Sequence, residues 1–435
     1  MALSETKNAP AHHQSDAEIA DDMYPYLRRY KDGRVERLMV SAFVPASETP
    51  GATTGVATRD VVIDPHTGVS VRLYLNVGAA AATGNTLPLI VYFHGGSFCT
   101  GSAFSKLFHR YAASLSARAG ALVVSVDYRL APEHPIPAAY EDAWTALRWV
   151  ATLSDPWLAD HADPTRMFLA GESGGANIAH NVAARAATAE GDGIDMAGLI
   201  LLQPYFWGSD RLPSEMDWDD GDVFAPKRVD TLWPFLTAGM AGNDDPRLNP
   251  PAHVIASLPC RRALVTVASK DVLCERGCRY AEMLSRHGVR CREVKLMESK
   301  DEDHGFHLYR PARASAVELM DSVVDFINSN RSVASSIVSA ETEFLHVPLR
   351  QSHSWEATSK GCKAALASGP DREVYGRPGS RNGLVVRRAN PPTSGFGLML
   401  GRSPSLVQKG PPRALSTEKP LRPSLLSPGQ RIFIA

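Results

Sequence analysis

The 435-residue sequence lacks several features that would place it in a common class of proteins. Its six cysteines contain no C-x-x-C pair, so their spacing indicates reduced thiols in the cytosol. The first residues, MALSETKNAPAHHQ, lack the apolar run of a secretory signal. No stretch approaches the roughly 18 to 20 unbroken apolar residues of a membrane-spanning helix. We therefore expect a soluble, cytoplasmic protein.

The sequence also has almost no net charge. The formal charge of −1 at pH 7 gives no electrostatic reason to expect nucleic acid or an anionic membrane as a partner, so a small neutral ligand fits better. This balance conceals two unequal parts of the chain. Residues 331–435 hold 15 Lys and Arg against 6 Asp and Glu, and the rest of the chain is correspondingly acidic.

Both ends of the chain have the composition of segments without a packed core. Residues 331–435 contain 11 prolines and show no sustained period of a helix or a strand. We predict a disordered C-terminal extension there, with a basic arm for nucleic acid or membrane as the alternative. Residues 1–16 are polar and aperiodic, and we expect them to be disordered too. The ordered domain is expected over residues 17–330.

Between these ends, apolar strands alternate with amphipathic helical segments. Apolar runs lie at 87–95, 121–129, 167–173, 198–206 and 262–271, and helical spacing lies at 140–153, 175–187, 279–288 and 314–327. This alternation predicts an α/β fold with a mostly parallel central sheet and helices on both faces. Residues 60–76 predict two antiparallel strands at one edge. Residues 17–34 and 207–250 fall outside the repeat, and we expect them to form a small cap.

One serine occupies the most informative turn of the sequence. The segment Gly171-Glu172-Ser173-Gly174-Gly175 has the G-x-S-x-G form and joins a predicted strand to a predicted helix. Small residues on either side allow a sharp, strained turn that lifts the serine hydroxyl clear of the sheet. The start of the helix aims backbone N–H groups at negative charge that develops nearby. We therefore predict that Ser173 is a nucleophile.

A serine hydroxyl needs a base, and the base needs a carboxylate to orient it. Asp271 follows an apolar strand, and His304 lies in the polar loop after the next predicted strand, 291–298. The order Ser, Asp, His is that of the α/β-hydrolases. We predict that His304 is the general base, with His307 as the rival candidate. His304 is preferred because it precedes a glycine in the loop, whereas His307 enters an apolar stretch.

Two other carboxylates compete with Asp271 for the third position of this triad. Asp301 and Asp303 lie close to His304 in the sequence and follow a different strand, so we prefer Asp271. The alternative for Asp271 is a solvated loop carboxylate or a helix cap.

The segment FHGGSF, residues 93–98, ends a buried strand with two glycines. An acyl-transfer intermediate carries an oxyanion, and backbone N–H groups must approach it without intervening side chains. Gly95 and Gly96 allow that approach, because the strand stops before its N–H groups pair in a ladder. We predict that they form an oxyanion hole together with Gly174.

Several longer segments resemble one family. FHGGSF, VDYRLAPEHPIPAAYEDAWTALRWV, GESGGANIAHNVAAR, ASKDVL and DHGFHLY are similar to plant carboxylesterases of the hormone-sensitive-lipase-like α/β-hydrolases, over roughly residues 15–330. The resemblance implies the α/β-hydrolase fold. It also places the third oxyanion donor at Ser97, where the family pattern has a glycine. The same Gly-Gly-Ser triplet resembles the gibberellin receptors, which lack the triad histidine.

The resemblance implies a serine carboxylesterase that acts on a small-molecule ester. We expect no metal and no organic cofactor, since His12-His13 and the Cys274/Cys278 pair are the only metal-like pairs in the sequence. No nucleic-acid or membrane partner is expected, and the protein should be a monomer or a homodimer. Two alternatives stay open: an inactive hormone receptor that uses the same pocket, and a dehydratase or acyl-shifting relative of the esterases.

Overall fold

We describe residues 18–83, 86–188, 193–219 and 224–329 from a computed structural model. The predicted disordered segments, 1–16 and 331–435, lie outside the described residues. Residues 220–223 of the predicted cap lie outside them too. The predicted domain bounds of 17 and 330 therefore stay a prediction.

The strands form two separate sheets. Their bounds are β1 Ile19–Met23, β2 Leu27–Tyr30, β3 Val35–Arg37, β4 Val56–Asp64, β5 Val69–Asn76, β6 Leu87–Phe93, β7 Leu122–Asp127, β8 Ala162–Glu172, β9 Gly198–Leu202, β10 Arg262–Ala268 and β11 Glu293–Ser299. Strands β1, β2 and β3 make a small antiparallel sheet, and the other eight form one sheet in the order β11-β10-β9-β8-β6-β7-β5-β4.

The large sheet is parallel from β11 to β7 and antiparallel at β5 and β4. This agrees with the predicted parallel sheet and with the predicted antiparallel pair over 60–76, whose first strand begins four residues earlier, at Val56. Every residue of β6 is buried, as a strand covered on both faces requires. The α/β fold class predicted from the sequence is confirmed.

Helices connect the strands and cover both faces of the sheet. Their bounds are α1 Val77–Thr83, α2 Lys106–Ala119, α3 Ala138–Ala151, α4 Pro156–His161, α5 Gly174–Ala186, α6 Pro226–Leu236, α7 Ala252–Ala256, α8 Cys274–His287, α9 Phe306–Tyr309 and α10 Ala314–Asn328. Helices α2 and α10 pack on one face with Phe168 and Ile200, while α3, α5 and α8 pack on the other with Leu169 and Leu199. No helix among these is long and apolar enough to cross a membrane.

One predicted helix begins more than two residues away from its start in the structure. The segment 279–288 belongs to α8, which begins five residues earlier, at Cys274. Gly277 masks this start in the sequence, because glycine is a poor helix former. In the fold it is needed for packing, since a Cβ there would come within 2.6 Å of the Val267 side chain in the adjacent strand.

The two segments predicted as a cap lie against each other. Tyr26, between β1 and β2, contacts Phe224 just before α6, with ring centroids 6.5 Å apart. Arg37 of β3 joins the small sheet to the body of the protein through Glu133, at 2.7 Å, and through the carbonyl oxygen of Cys99, at 2.9 Å. These contacts hold the N-terminal sheet over the carboxyl ends of the parallel strands.

Candidate active site

Ser173 occupies a strained turn between β8 and α5. Its φ of 54° and ψ of −118° lie in a region that side chains rarely adopt. The turn is tight enough to exclude side chains at both flanking glycines. A Cβ on Gly171 would come within 2.2 Å of the Gly175 carbonyl oxygen, and a Cβ on Gly175 within 2.0 Å of the Phe93 carbonyl oxygen. This packing is the physical reason for the G-x-S-x-G spacing.

The structure brings Ser173, His304 and Asp271 into one hydrogen-bonded chain. The Ser173 hydroxyl lies 2.8 Å from His304 Nε2, and His304 Nδ1 lies 2.6 Å from Asp271 Oδ2. We assign the Nδ1 proton to the bond with Asp271, which leaves Nε2 free to accept the serine proton. Asp271 Oδ1 accepts the Leu273 N–H at 3.0 Å, so the carboxylate is held on both oxygens.

The loop of His304 is fixed by a contact that the sequence did not suggest. The N–H of Gly305 donates to the side-chain oxygen of Gln203 at 2.6 Å. Gly305 has a φ of 71°, and Gln203, which follows β9 by one residue, has a φ of 46°. A non-glycine residue in the left-handed region after a buried strand is held there by its surroundings. Gln203 therefore positions the histidine loop from the end of β9.

The charge state of His304 depends on two buried carboxyl groups. Burial lowers the pKa of His304, but the charge and hydrogen bond of Asp271 and the charge of Glu172 raise it more, to about 9. Asp271 and Glu172 are both buried, so water screens these interactions weakly. The site therefore stabilises the imidazolium that forms when His304 takes a proton.

A turn of unusual backbone conformation follows β6 next to Ser173. Gly96, Ser97 and Phe98 have φ values of 100°, 51° and 59°. The carbonyl oxygen of Gly96 accepts the N–H groups of the residues that close the turn, Cys99 at 3.1 Å and Thr100 at 3.0 Å. No described residue accepts a hydrogen bond from the N–H group of Gly96, Ser97 or Gly174. We call residues 94–98 the oxyanion turn.

Gly95 has a different environment from its neighbour. A Cβ on Gly95 would come within 1.8 Å of Glu172 Oε2, and the Gly95 N–H interacts with that carboxyl group. The predicted oxyanion residues thus divide into Gly95, whose N–H faces Glu172, and the three others, whose N–H groups are free of described partners. Sequence reasoning treated Glu172 only as the variable position of the motif, although a carboxylate at the end of a buried strand was a signal of its own.

Two aromatic residues from the cap cover the site. The Phe224 ring lies 6.1 Å from the His304 ring and also contacts Tyr26. The Tyr26 hydroxyl interacts with the Ser97 side chain, and burial raises the pKa of Tyr26. A small cleft of about 40 Å³ between the N-terminal sheet and α6 is lined by Tyr26 and Phe224 together with Arg228 and Leu232. The serine at the third oxyanion position therefore meets the cap.

The rival residues lie outside the hydrogen-bonded chain. His307 is buried, its two ring nitrogens have no hydrogen-bond partner among the described residues, and its ring packs against Tyr111 at 5.4 Å. Burial lowers the pKa of His307 to about 3. Asp301 pairs with Lys270 at 3.6 Å, and Asp303 with Arg310 at 3.3 Å, at the surface.

No metal site is found in the described ranges: no group of three or more His, Cys, Asp or Glu side chains there could hold an ion. Cys274 and Cys278 lie one turn apart on α8 and are half-buried. His12 and His13 lie outside the described residues.

The order of the parallel strands and the strained serine turn define the class of protein as an α/β-hydrolase. A family model described as "alpha/beta hydrolase fold" matches residues 90–308. The chain belongs to this family, and the predicted fold and family are confirmed.

Similar proteins support this assignment over about 70% of the chain. The chain is 38% identical to "Probable carboxylesterase 2" of Arabidopsis thaliana, over 72% of this chain and 97% of that protein. It is 42% identical to "2-hydroxyisoflavanone dehydratase" of Glycyrrhiza echinata, over 71% of this chain and 96% of that protein. The predicted relationship to plant carboxylesterases and these dehydratases is therefore confirmed.

Solved structures of esterases share the fold. The esterase LipW from Mycobacterium marinum matches with a TM-score of 0.54 and 29% identity, over 65% of this chain and 84% of that chain. EstE1, a carboxylesterase cloned from a metagenomic library, matches with a TM-score of 0.55 and 27% identity, over 66% of this chain and 90% of that chain. The enzyme class predicted from the sequence, carboxylic ester hydrolase, is confirmed by the carboxylesterase relatives and these esterase structures.

Proposed function

We propose that the protein is a serine carboxylesterase that hydrolyses small-molecule carboxylic esters through an acyl-enzyme on Ser173. The observation that carries this proposal is the hydrogen-bonded chain from Ser173 through His304 to Asp271. A serine held in a strained turn within 2.8 Å of an oriented imidazole is the arrangement that nucleophilic acyl transfer needs.

In the first half-reaction, Ser173 Oγ attacks the ester carbonyl carbon while His304 Nε2 takes its proton. Asp271 stabilises the imidazolium through Nδ1. The tetrahedral intermediate collapses when the bond to the alcohol oxygen breaks, and the Nε2 proton passes to that oxygen. The products of this step are the free alcohol and the acyl-enzyme.

In the second half-reaction, water takes the place of the alcohol. His304 Nε2 removes a proton from the water as its oxygen attacks the acyl carbon, and the proton then passes to Ser173 Oγ as the ester bond breaks. The carboxylic acid leaves and the free enzyme is restored. No metal or organic cofactor has a part in these steps.

The oxyanion of both intermediates would be bound by the N–H groups of Gly96, Ser97 and Gly174. Their lack of described hydrogen-bond partners supports this part of the proposal. Gly95, which was predicted with them, supports the turn through Glu172 instead. The cap residues Tyr26 and Phe224 would exclude water and contact the substrate.

The remaining predictions of location and assembly belong to this proposal as well. We propose a cytoplasmic enzyme, a monomer or homodimer, that needs no nucleic acid and no membrane. One relative, "Tuliposide A-converting enzyme 1, chloroplastic" of Tulipa gesneriana, is named for a different compartment. Fractionation of plant cells that express the tagged full chain would show whether the protein lies in the cytoplasm or in the chloroplast.

A second candidate function is the elimination of water from a small hydroxylated compound. Its specific support is the 42% identity to the protein named 2-hydroxyisoflavanone dehydratase. The same base, His304, would serve that reaction without an acyl-enzyme. The receptor alternative has less support, because a binding site for a neutral hormone does not need a base hydrogen-bonded to both a serine and a carboxylate.

A panel of p-nitrophenyl esters of increasing acyl length tests the proposal. We expect turnover of the short esters, with a rate that rises with pH as His304 loses its proton. Because the pKa of His304 is raised from 6.5 to about 9, the acid limb should lie between these values. No turnover of any ester by the folded protein would contradict the proposal, and release of water from a hydroxyflavanone-like compound would favour the second candidate.

A further inference from the structure

A second buried carboxyl group lies inside the candidate site, although acyl transfer as described above gives it no chemical step. Glu172 directly precedes Ser173 and is 3% exposed. Its Oε1 lies 3.8 Å from His304 Nε2, the nitrogen that receives the serine proton. Its Oε2 fills the space beside Gly95. The carboxyl group therefore contacts both the base and the oxyanion turn.

We propose that Glu172 is a positioning residue for acyl transfer, which stabilises the imidazolium form of His304 and holds Gly95 at the start of the oxyanion turn. This inference rests on the proposed function, since it assigns Glu172 a part in the same reaction. It requires no contact between Glu172 and the substrate.

The first part of the inference follows from charge. As Ser173 attacks, the imidazole becomes a cation, and Asp271 faces that cation only at Nδ1. Glu172 faces it at Nε2, where the new proton arrives. A negative charge 3.8 Å away in a buried site stabilises a cation far more than it would in water.

The side chains around Glu172 leave His304 as the group that it affects in the neutral pH range. Asp271 lies on the other side of the imidazole. The remaining ionisable groups that face Glu172 are tyrosines, namely Tyr26 between β1 and β2, Tyr92 of β6, Tyr111 of α2, Tyr128 after β7 and Tyr309 of α9. Burial raises the pKa of each of these tyrosines, so none ionises near pH 7.

The state of Glu172 itself is balanced. Burial is the largest effect, and together with the charge of Asp271 it raises the pKa of Glu172 to about 7. The charge of His304 and the Gly95 N–H lower the pKa and limit this rise. The carboxylate is therefore favoured when His304 is protonated, which is the state that forms during acyl transfer.

The second part of the inference follows from packing. Glu172 ends β8 and Gly95 follows β6, and the two strands are neighbours in the sheet, with Phe93 opposite Gly171. The carboxyl group fills the space left by the absent side chain of Gly95, so the serine turn and the oxyanion turn touch through it. Loss of this contact would loosen the turn that carries the free N–H groups of Gly96 and Ser97.

The test compares Glu172→Gln and Glu172→Asp with a matched control, Glu215→Gln. Glu215 is also a buried glutamate, but it lies in the cap segment 207–250 and pairs with Arg276 of α8 at 2.6 Å. The ring signals of His304, identified by their loss in His304→Gln, are titrated by NMR in each folded variant. The rate of fluorophosphonate labelling and the values of kcat and KM are measured over the same pH range.

Glu172→Gln removes a negative charge that favours the imidazolium, so the pKa of His304 should fall and the acid limb of labelling should move to lower pH. We expect kcat on the plateau to fall by about tenfold to a hundredfold, as for the loss of a contact to a charged group, with KM little changed. Glu172→Asp keeps the charge and should keep the acid limb near that of the parent. Glu215→Gln should leave the acid limb and the His304 titration unchanged.

An unchanged His304 titration in folded Glu172→Gln overturns the inference, and so does a fall in rate shared equally by Glu215→Gln. If Glu172→Gln does not fold, the His304 titration of the parent protein is the test. Coupling between His304 and Glu172 gives the His304 titration curve two inflections, and a single inflection contradicts that coupling. A parent that hydrolyses no ester and takes no label overturns the proposed function, while the His304 titration still tests the contact with Glu172.

Discussion

The edge of the sheet that carries Ser173 and the cap above it are held together by different kinds of contact. At the edge, Ser173, Asp271 and His304 follow the parallel strands β8, β10 and β11. The turns around Ser173 leave no room for a Cβ at Gly171 or Gly175. In the cap, Tyr26 and Phe224 come from segments far apart in the chain and meet through their rings. Backbone packing thus fixes the positions of the candidate site residues, whereas contacts between side chains shape the space above them.

This difference teaches where the protein can tolerate change. A shift of a few tenths of an ångström at the edge would move hydrogen bonds of 2.6 and 2.8 Å, on which proton transfer depends. In the cap, a comparable shift at the half-buried rings of Tyr26 and Phe224 changes a packing contact and moves no hydrogen bond of the Ser173-His304-Asp271 chain. We therefore expect substitutions at the edge to alter rate or folding, and substitutions in the cap to alter substrate affinity.

The largest effect is expected at His304. His304→Gln removes the base, so kcat should fall by a factor on the order of 10³ or more while KM changes little. His307→Gln is the matched control three residues away, and its kcat should stay close to that of the parent, because the described contacts of His307 are packing contacts. Steady-state kinetics on a short p-nitrophenyl ester decide the matter, and equal losses in both variants would contradict the assignment of the base.

The next effect concerns folding and compares two adjacent glycines. Gly175→Ala places a Cβ within 2.0 Å of a backbone oxygen and should lower the free energy of unfolding by about 3 kcal/mol or more. Gly174→Ala meets its nearest atoms at 3.4 Å, in ordinary contact, and should leave stability close to that of the parent. Urea denaturation of both variants measures this difference. A stable Gly175→Ala variant would mean that the turn is looser than described.

The smallest effect is expected at the contact between the cap and the body. Arg37→Gln removes the ion pair with Glu133, which is partly exposed and worth about 1 kcal/mol. We expect a KM raised severalfold at nearly constant kcat, since the N-terminal sheet would hold Tyr26 less firmly. Lys31→Gln breaks an exposed pair with Glu18 at the end of the same small sheet, just outside β1 and β2, and serves as the control. A fall in kcat without a change in KM would contradict the division between edge and cap.

The same division explains what could be predicted from the sequence. The serine turn is local, because Gly171 and Gly175 lie close to Ser173 in the chain and their need for small size appears as a motif. The positions of Asp271 and His304 follow from the rule that parallel strands end at one edge. The serine motif, the ends of the predicted strands and the Ser, Asp, His order of the α/β-hydrolases therefore predict the three residues, although His307, Asp301 and Asp303 remain as rivals in the sequence.

The contacts that were missed depend on residues far apart in the chain. In the G-x-S-x-G motif Glu172 is a variable position. Its contacts do not show in the motif, because Gly95 and His304 come from the ends of two other strands. Gln203 carries no motif, and its role appears only when the Gly305 N–H lies beside it. Tyr26 and Phe224 could belong to any cap, since ring contacts between distant segments leave no periodic pattern in the sequence.

The most direct test of the central proposal is the covalent state of Ser173. Ser173→Ala removes the attacking oxygen and keeps a small side chain in the turn, so the variant should fold. After treatment with a fluorophosphonate, intact-mass and peptide analysis of the parent should show one adduct, on Ser173, and the variant should show none. An equal extent of labelling in both folded proteins would place the reactive group elsewhere and contradict the proposed acyl-enzyme.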